Sequence, residues 1–381
     1  MTVPTRLLSF WFSRSRPAPM ALALGLAAVT LATACQAPST EIQIQNPYAG
    51  VDWEGSDQYK ANLHTHTTRS DGRINPQEVV DHYHRMGYHI LAVTDHNEVT
   101  YPWTGFSAME PSNTSLNRME SQPENMPDDF VYEDRDPSSL GMLAIQANEV
   151  SAPHHVGSYF SDFNDRADTE GETLRRLEAA GATVVLFHPG RYTDRAPETY
   201  TDQWYLDQYR TFHNVVGIEI YNQGDRYPTD RGLWDRLLTE LMPERPIWAY
   251  SNDDMHSAGH LGRNWNVFPL TELSQDELRA AMEEGRFYWV YAPEGQSGPT
   301  PPALRGVRVD GRRGIIDLDV EGGDRIYWIS RGDTIQTGAT LDLTQLEPVE
   351  GYVRAEIWGP GNTITGTQPF GIGSSADSGR R

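Results

Sequence analysis

The segment "HILAVTDH", residues 89–96, is a short apolar run that ends in an aspartate and a histidine. Apolar runs of this length, bounded by turn residues, are typical of β-strands. Four later segments share the pattern and are also predicted as strands: "MLAIQANEV" (142–150), "ATVVLFHP" (182–189), "VVGIEIYN" (215–222) and "PIWAYSND" (246–253). The chain therefore contains a series of short strands, several of which end in a side chain that can bind a metal ion.

Helices are predicted between several of these strands. The segment "NPQEVVDHYHRMG" (75–87) has Asn75 at the N-cap, Pro76 at the first helical position and Gly87 at its end, which are typical start and stop residues of a helix. The segments "GETLRRLEAAG" (171–181) and "DELRAAMEEG" (276–285) also end at glycine. This alternation of strands and helices predicts the α/β class, with a mostly parallel sheet or a barrel.

The alternation is interrupted once and ends near residue 299. Residues 97–148 are polar and lack a clear period. A loop this long is usually functional or disordered, so we predict a loop near the site entrance, with a surface insertion without function as the alternative. After "PTPPALRG", short alternating segments predict a small all-β, sandwich-like domain over 299–381. The predicted organisation is a tether over 36–57, the α/β domain over 58–298, and this β domain.

The first 35 residues are predicted to be a targeting segment. Arg6, Arg14 and Arg16 precede the apolar run "MALALGLAAVTLATA" (20–34), which has the length of a signal peptide. The run ends at Cys35, the only cysteine in the chain, and resembles a bacterial lipoprotein signal. An ordinary cleaved signal is the alternative. Either interpretation predicts an exported protein, periplasmic or held at a membrane only by a lipid anchor at Cys35.

The composition excludes several classes of function. Of 381 residues, 38% are apolar and 22% are charged, an ordinary globular balance. The formal net charge of −22 argues against a nucleic-acid partner or an anionic membrane surface, because there is no basic footprint to neutralise phosphates. Since Cys35 is the only thiol, a metal site within the fold would have to rest on histidines and carboxylates.

Candidate metal ligands recur at the carboxyl ends of the predicted strands: His96, Glu149, His188 and Asp254. Active sites of barrels and open α/β sheets are built at that end. In "NLHTHTTRSDG" (62–72), His64 and His66 are two residues apart, so both imidazoles can point from one face of an extended segment to one ion. Asp254 and His256 in "NDDMH" (252–256) repeat this spacing. A site made of His, Asp and Glu suits Zn²⁺, Mn²⁺ or Fe.

These motifs together resemble the PHP family (polymerase and histidinol phosphatase). The resemblance rests on "HTHTTRSDG", "AVTDHN", "NEVS", "HHVGSYF", "FHPG" and "NDDMH", and it covers roughly residues 58–290. It implies a distorted seven-stranded (β/α)7 barrel with two or three divalent metal ions. Combined with the N-terminal segment and the β domain, it is similar to a subgroup of bacterial PHP metallohydrolases that includes esterase- and carbamate-cleaving members.

The resemblance also implies how the ligands are shared among the ions. One ion would be held by His64, His66, Glu149 and Asp254. Glu149 would bridge to a second ion, held also by His188 and by His155, with His154 as the alternative. A third ion would be held by Asp71, His96 and His256. In "NDDMH" a second aspartate, Asp253, stands where the family more often has a small residue, which leaves open which aspartate binds.

A metal-dependent phosphoesterase is the activity that the resemblance implies. The expected substrate is a small anionic molecule, a phosphomonoester or phosphodiester, attacked by metal-bound hydroxide with Asp254 and His256 at the catalytic centre. Arg191 would clamp a phosphate oxygen, because guanidinium matches phosphate geometry; a surface loop arginine is the alternative. His260 and Arg263 are weaker candidates for the same role. A hydrolase of carboxylate esters, carbamates or amides is the second hypothesis, and a non-catalytic binding module is the third.

Two further acidic residues near these motifs are expected to have supporting roles. Asp95 is predicted to support a ligand or to cap the loop that follows it. Glu219, in the fourth predicted strand, is expected to serve packing or a backbone hydrogen bond, with an approach to the site as the alternative.

Overall fold

The computed structural model describes residues 42–106, 120–121 and 126–374. The predicted signal segment, Cys35 and the start of the tether lie outside these residues, as do 107–119 and 122–125 of the predicted loop. The exported location and the lipid anchor stay predictions. Within the described ranges, no helix has the length and apolar character needed to cross a membrane.

The described part of the chain contains seven α-helices and nineteen β-strands. The helices are α1 Pro76–Arg85, α2 Pro137–Leu140, α3 Glu170–Ala179, α4 Gly190–Thr193, α5 Asp202–Thr211, α6 Asp230–Leu241 and α7 Gln275–Glu284. The first nine strands are β1 Ile42–Gln45, β2 Asp57–Asn62, β3 Ile90–Ala92, β4 Leu143–Ile145, β5 Ala147–Ser151, β6 His155–Tyr159, β7 Thr183–Leu186, β8 Val215–Asn222 and β9 Trp248–Asn252. The others are β10 Asn264–Leu270, β11 Tyr288–Tyr291, β12 Ala303–Asp310, β13 Ile315–Glu321, β14 Arg325–Ser330, β15 Asp333–Thr337, β16 Thr340–Asp342, β17 Gly351–Trp358, β18 Ile364–Gly366 and β19 Phe370–Ser374.

The local signals in the sequence place most of these elements. Helix α1 begins where predicted, because the Asn75 side chain accepts a hydrogen bond from the Glu78 backbone N–H at 2.9 Å. Helix α7 ends at Gly285, whose φ of 75° lies in the left-handed region that glycine adopts without strain. All five predicted strands are present, and the 142–150 run divides into β4 and β5. Strand β6 and helices α5 and α6 were not predicted.

Parallel strand pairs precede many of the candidate ligands. Strand β2 pairs in parallel with β3 and β3 with β4, while β7 pairs in parallel with β8 and β8 with β9. Strand β6 runs antiparallel to both β5 and β7. The α/β class is confirmed. Two isolated parallel bridges connect the two sheets, Thr65 to Met255 and His96 to Glu149. Closure into a seven-stranded barrel is not shown by these pairings and stays a prediction.

The last part of the chain consists of antiparallel strands. Strands β12, β13 and β16 form one small sheet, while β14, β15, β17, β18 and β19 belong to the sheet that also contains β2, β3 and β4. Strand β18 pairs with β11, so that Trp289 lies opposite Gly366. The domain boundary at 298/299 and the sandwich-like domain stay predictions.

Aromatic and aliphatic side chains of α5 and α6 cover β7, β8 and β9. Tyr205, Tyr209, Trp234 and Leu237 are completely buried there, and burial of a large apolar side chain stabilises a fold by about 1.5–3 kcal/mol. This layer holds the strand ends at fixed positions, and the candidate ligands lie on those ends.

Candidate metal centre

Backbone pairing brings the two histidine-containing loops together. The His66 N–H donates to the Met255 carbonyl at 2.8 Å, beside the Thr65–Met255 bridge. The segment that follows β2 therefore runs alongside the segment that follows β9. The His96–Glu149 bridge does the same for the segments after β3 and β4. As a result, ligands from distant parts of the sequence meet at the carboxyl ends of the strands.

The first group contains His64, His66, Glu149 and Asp254, as the sequence predicts. The Nε2 atoms of His64 and His66 lie 3.1 Å apart, and each lies 3.2 Å from Asp254 Oδ1. Glu149 Oε2 lies 3.5 Å from His64 Nε2 and 3.1 Å from His66 Nε2. All four side chains are buried, with exposures of 0–6%.

These distances fit a metal ion. Neighbouring donor atoms bound to one ion at about 2.0–2.1 Å lie roughly 2.9–3.4 Å apart, close to the range observed. Asp254 Oδ1 is buried and has no hydrogen-bond partner among the described residues, although buried polar atoms are nearly always paired. Two ring nitrogens that face each other with two carboxylate oxygens are therefore suited to binding a cation.

The second group shares Glu149. Its Oε1 atom lies 2.8 Å from His155 Nδ1 and 3.0 Å from His188 Nε2. The structure places His155 in this group and turns His154 away from it: His154 Nε2 lies 3.1 Å from the Tyr205 hydroxyl. The sequence left these two histidines open as alternatives; the pairing of β5 with β6 brings His155 to Glu149, and its binding of an ion stays a prediction.

The third group is the most exposed. Asp71 Oδ1 lies 3.2 Å from His256 Nε2 and 3.5 Å from His96 Nε2. The Asp71 side chain is 52% exposed, and His96 and His256 are 23% and 24% exposed. The predicted three-residue set is thus brought together at the solvent side, whereas the first group lies at the buried side.

Glu219 binds His64, a member of the first group, and the backbone of His188. Its Oε2 accepts the expected backbone hydrogen bond, from the His188 N–H at 3.0 Å. Its Oε1 also accepts a hydrogen bond from His64 Nδ1 at 2.8 Å, in line with the alternative that Glu219 approaches the site. This contact holds the proton on Nδ1 of His64, so that Nε2 is the nitrogen that faces the other donors, the usual role of a carboxylate behind a metal-binding histidine.

The aspartates beside the ligands have structural roles. Asp95 accepts hydrogen bonds from the Thr67 backbone and hydroxyl, both at 2.7 Å, and from Ser70 and Thr100. It thereby fixes the turn between His66 and Asp71, in line with the expected support role.

Asp253 is directed away from the centre. It accepts hydrogen bonds from the backbone N–H groups of residues 262, 263 and 264 and from the Tyr83 hydroxyl. Burial raises the pKa of Asp253 to about 6, although these hydrogen bonds oppose the shift. Of the two aspartates that the sequence left open, Asp254 is the one that faces the histidines.

The buried histidines and carboxylates of the centre shift one another's pKa values strongly. Burial disfavours the charged form of His64, but the carboxylates of Asp254, Glu219 and Glu149 outweigh it and raise the His64 pKa well above its ordinary value. Burial likewise opposes ionisation of Glu149 and Asp254, yet the neighbouring histidines lower the pKa of both. Because protons take the place of metal charge in such a cluster, metal binding is expected to release them.

Backbone strain coincides with the candidate ligands. His188 and Asp254 have φ values of 31° and 43°, and the neighbouring Gln223, whose side chain donates to the Asp254 carbonyl at 2.9 Å, has a φ of 45°. Non-glycine residues in this region cost about 1–3 kcal/mol each and cluster at functional sites.

The predicted phosphate clamps lie beside the centre and do not form part of the ligand groups. The Arg191 N–H donates to the His188 carbonyl at 3.0 Å, and its guanidinium has no hydrogen-bond or ion-pair partner among the described residues. The His260 Nδ1 accepts the His256 N–H at 3.2 Å, so His260 supports a candidate ligand. Arg263 uses its backbone N–H to bind Asp253.

No protein-family model matches the chain, and no curated protein matches it. A two-domain protein from Bacteroides vulgatus, containing a predicted PHP-like metal-dependent phosphoesterase, is similar at 17% identity and a TM-score of 0.46, over 88% of this chain and 98% of that one. A metal-dependent phosphoesterase assigned in Bifidobacterium adolescentis has 14% identity and a TM-score of 0.37, over 59% and 96%. An amidohydrolase from Chromobacterium violaceum with bound sulfate has 16% identity and a TM-score of 0.34, over 60% and 96%. At these scores the similarities carry no conclusion about family or activity.

Proposed function

We propose that this chain is a metal-dependent hydrolase that cleaves small phosphomonoesters or phosphodiesters at a centre of two or three divalent ions. The observation that carries the proposal is the convergence of His64, His66, Glu149 and Asp254, whose donor-to-donor distances are 3.1–3.5 Å. Histidine and carboxylate donors suit Zn²⁺, Mn²⁺ or Fe.

Each proposed ion has its own set of donors. His64, His66, Glu149 and Asp254 would hold the first ion. Glu149, His155 and His188 would hold the second. Asp71, His96 and His256 would hold the third, at the exposed side. When bound, such ions lower the pKa of a water molecule towards neutrality and stabilise negative charge on ester oxygens.

Other residues orient His64, close the buried side of the centre to water and leave an entrance for the substrate. Glu219 keeps the proton of His64 on Nδ1, which leaves Nε2 free as a donor atom to the ion. Phe187 stacks on the His64 ring with centroids 3.7 Å apart, which closes the buried side to water. Asp71, His96 and His256 leave the opposite side open to solvent, so a substrate would enter there.

The positively charged side chain of Arg191, beside the second group, favours an anionic substrate. Arg191 follows His188 by three residues, and its guanidinium is free of acidic partners among the described residues. In a chain with a net charge of −22, an unpaired arginine at the site is suited to hold a phosphate oxygen.

The test is a metal analysis of the purified protein combined with a rate screen over phosphomonoesters, phosphodiesters, carboxylate esters and carbamates. We expect bound divalent metal and the highest rates on phosphate esters, with Asp254→Asn as the inactive control. Higher rates on carboxylate esters or carbamates would assign the second hypothesis instead. A protein without bound metal, or full activity of Asp254→Asn, would overturn the proposal.

A further inference from the structure

His154 is a completely buried histidine that the proposed reaction does not use. It precedes His155 directly, and its ring lies between two aromatic rings, stacked on Tyr192 with centroids 4.1 Å apart and on Trp204 at 5.3 Å. No carboxylate contacts this ring among the described residues. A neutral imidazole has one donor and one acceptor nitrogen.

The two neighbours of the ring decide which nitrogen carries the proton. His154 Nδ1 lies 2.9 Å from the His155 carbonyl oxygen, which can only accept a hydrogen bond. The proton therefore resides on Nδ1. Nε2 is then the acceptor and takes the hydrogen bond from the Tyr205 hydroxyl, at 3.1 Å.

The same aromatic cluster binds the other backbone group of His155. The His155 N–H donates to the Tyr192 hydroxyl at 2.9 Å. The Tyr192 ring also stacks on His188, with centroids 5.9 Å apart and an interplanar angle of 25°. His154 and Tyr192 therefore each bind one backbone polar group of His155, whose carbonyl also accepts the Phe187 N–H at 3.2 Å, and Tyr192 stacks on the ring of His188. Neither residue is within the distances that define the first group.

We propose that His154 is a positioning residue for the second ion: its Nδ1–H holds the His155 carbonyl, with Tyr192 holding the His155 N–H, so that His155 Nδ1 stays 2.8 Å from Glu149. This inference rests on the proposed function, because it assumes that Glu149, His155 and His188 bind an ion. It predicts that the second ion can be weakened without an effect on the first.

Two variants separate the hydrogen bond from the stacking. In His154→Asn the amide nitrogen can lie near the position of Nδ1 and keep the donor to the His155 carbonyl. In His154→Gln the amide lies near the position of Nε2, and the Nδ1 donor is lost. Both variants remove the ring and its stacking equally. Tyr192→Phe removes only the acceptor of the His155 N–H, and it serves as the second probe if either His154 variant fails to fold.

The experiment is a Co²⁺ titration of metal-free protein, following the absorption spectrum for each equivalent, with circular dichroism to verify folding. We expect His154→Gln to bind the second equivalent about 10- to 100-fold more weakly, with the first equivalent unchanged and His154→Asn close to wild type. Tyr192→Phe is expected to weaken the second equivalent as well.

Three results would overturn the inference. If His154→Asn and His154→Gln bind the second equivalent equally, the Nδ1 hydrogen bond is not what positions His155. An equal loss for both equivalents in His154→Gln would show a general structural role. A wild-type protein that binds fewer than two ions overturns the proposed function and this inference together, whereas the first two results overturn this inference alone.

Discussion

Replacing Glu219 by glutamine should weaken the first ion while the shape of the side chain stays the same. The completely buried carboxylate accepts four hydrogen bonds: from His64 Nδ1 at 2.8 Å, Asn252 Nδ2 at 2.9 Å, the His188 N–H at 3.0 Å and Asn222 Nδ2 at 3.1 Å. All four partners are donors: His64 and Asn252 bind Oε1, whereas His188 and Asn222 bind Oε2. A glutamine amide has one oxygen, so it can accept hydrogen bonds from only one of these two pairs.

Either orientation of the amide damages the centre. With its oxygen towards the His188 N–H, the NH₂ group faces His64 Nδ1, which must become an acceptor. The His64 proton then moves to Nε2, the atom that faces His66, Glu149 and Asp254. With the amide reversed, the backbone N–H of His188 meets a second donor. Loss of such a support for a ligand typically costs 10–100-fold in metal affinity, which is about 1.4–2.7 kcal/mol.

The assay is a competitive titration of metal-free protein against a chelator of known affinity. Asn222→Ala is the matched control, since it removes one donor but leaves the carboxylate on His64; we expect it to bind the first ion more tightly than Glu219→Gln does. If Glu219→Gln retains wild-type affinity, the tautomer of His64 is not set by this contact and the reasoning is refuted.

Three other perturbations have defined outcomes. Arg354→Met leaves the buried Asp235 without the guanidinium that now lies 2.7–2.8 Å away. We expect the free energy of unfolding to fall by about 3–5 kcal/mol, or Tm by about 4–7 °C for some 340 residues, and the double variant with Asp235→Leu to recover part of this loss. An unchanged Tm would show that the ion pair contributes nothing to stability. In metal-free protein the nearby carboxylates outweigh burial and raise the pKa of His96 to about 10 and of His256 to about 9. Their stabilising contribution should thus be complete below the unfolded pKa of about 6.5 and be lost as the pH rises through 9–10, which urea denaturation at several pH values would measure; a flat profile contradicts it. Lys60 is the only lysine of the chain, and burial lowers its pKa to about 8 against the opposing charge of Asp253, so its acylation rate by mass spectrometry should level off above about pH 8 and not continue to rise to pH 10.

Local patterns in the sequence predict much of the fold. The N-cap at Asn75 and the stop at Gly285 determine helix ends through contacts within a few residues. Apolar runs predict β5, which contains Glu149, and β3 and β7, which precede His96 and His188. These elements are predictable because the interactions that form them are short in sequence. Strand β6, which runs antiparallel between β5 and β7, was not predicted from apolar periodicity, because "HVGSY" has no continuous apolar run; only the resemblance to the family indicated a strand after the histidine pair.

The sequence by itself determined which residue types could form the centre and that they follow strand ends. The spacing of His64 and His66 already predicted that both face one ion, and their Nε2 atoms lie 3.1 Å apart. Only the tertiary structure shows which of two neighbours of the same type faces the candidate ligand groups: His155 and not His154, and Asp254 and not Asp253. It also decided that Glu219 supports His64 across 155 residues of sequence. The physical reason is that a side chain's direction and its partner depend on how strands are paired, which residues far apart in the chain determine together.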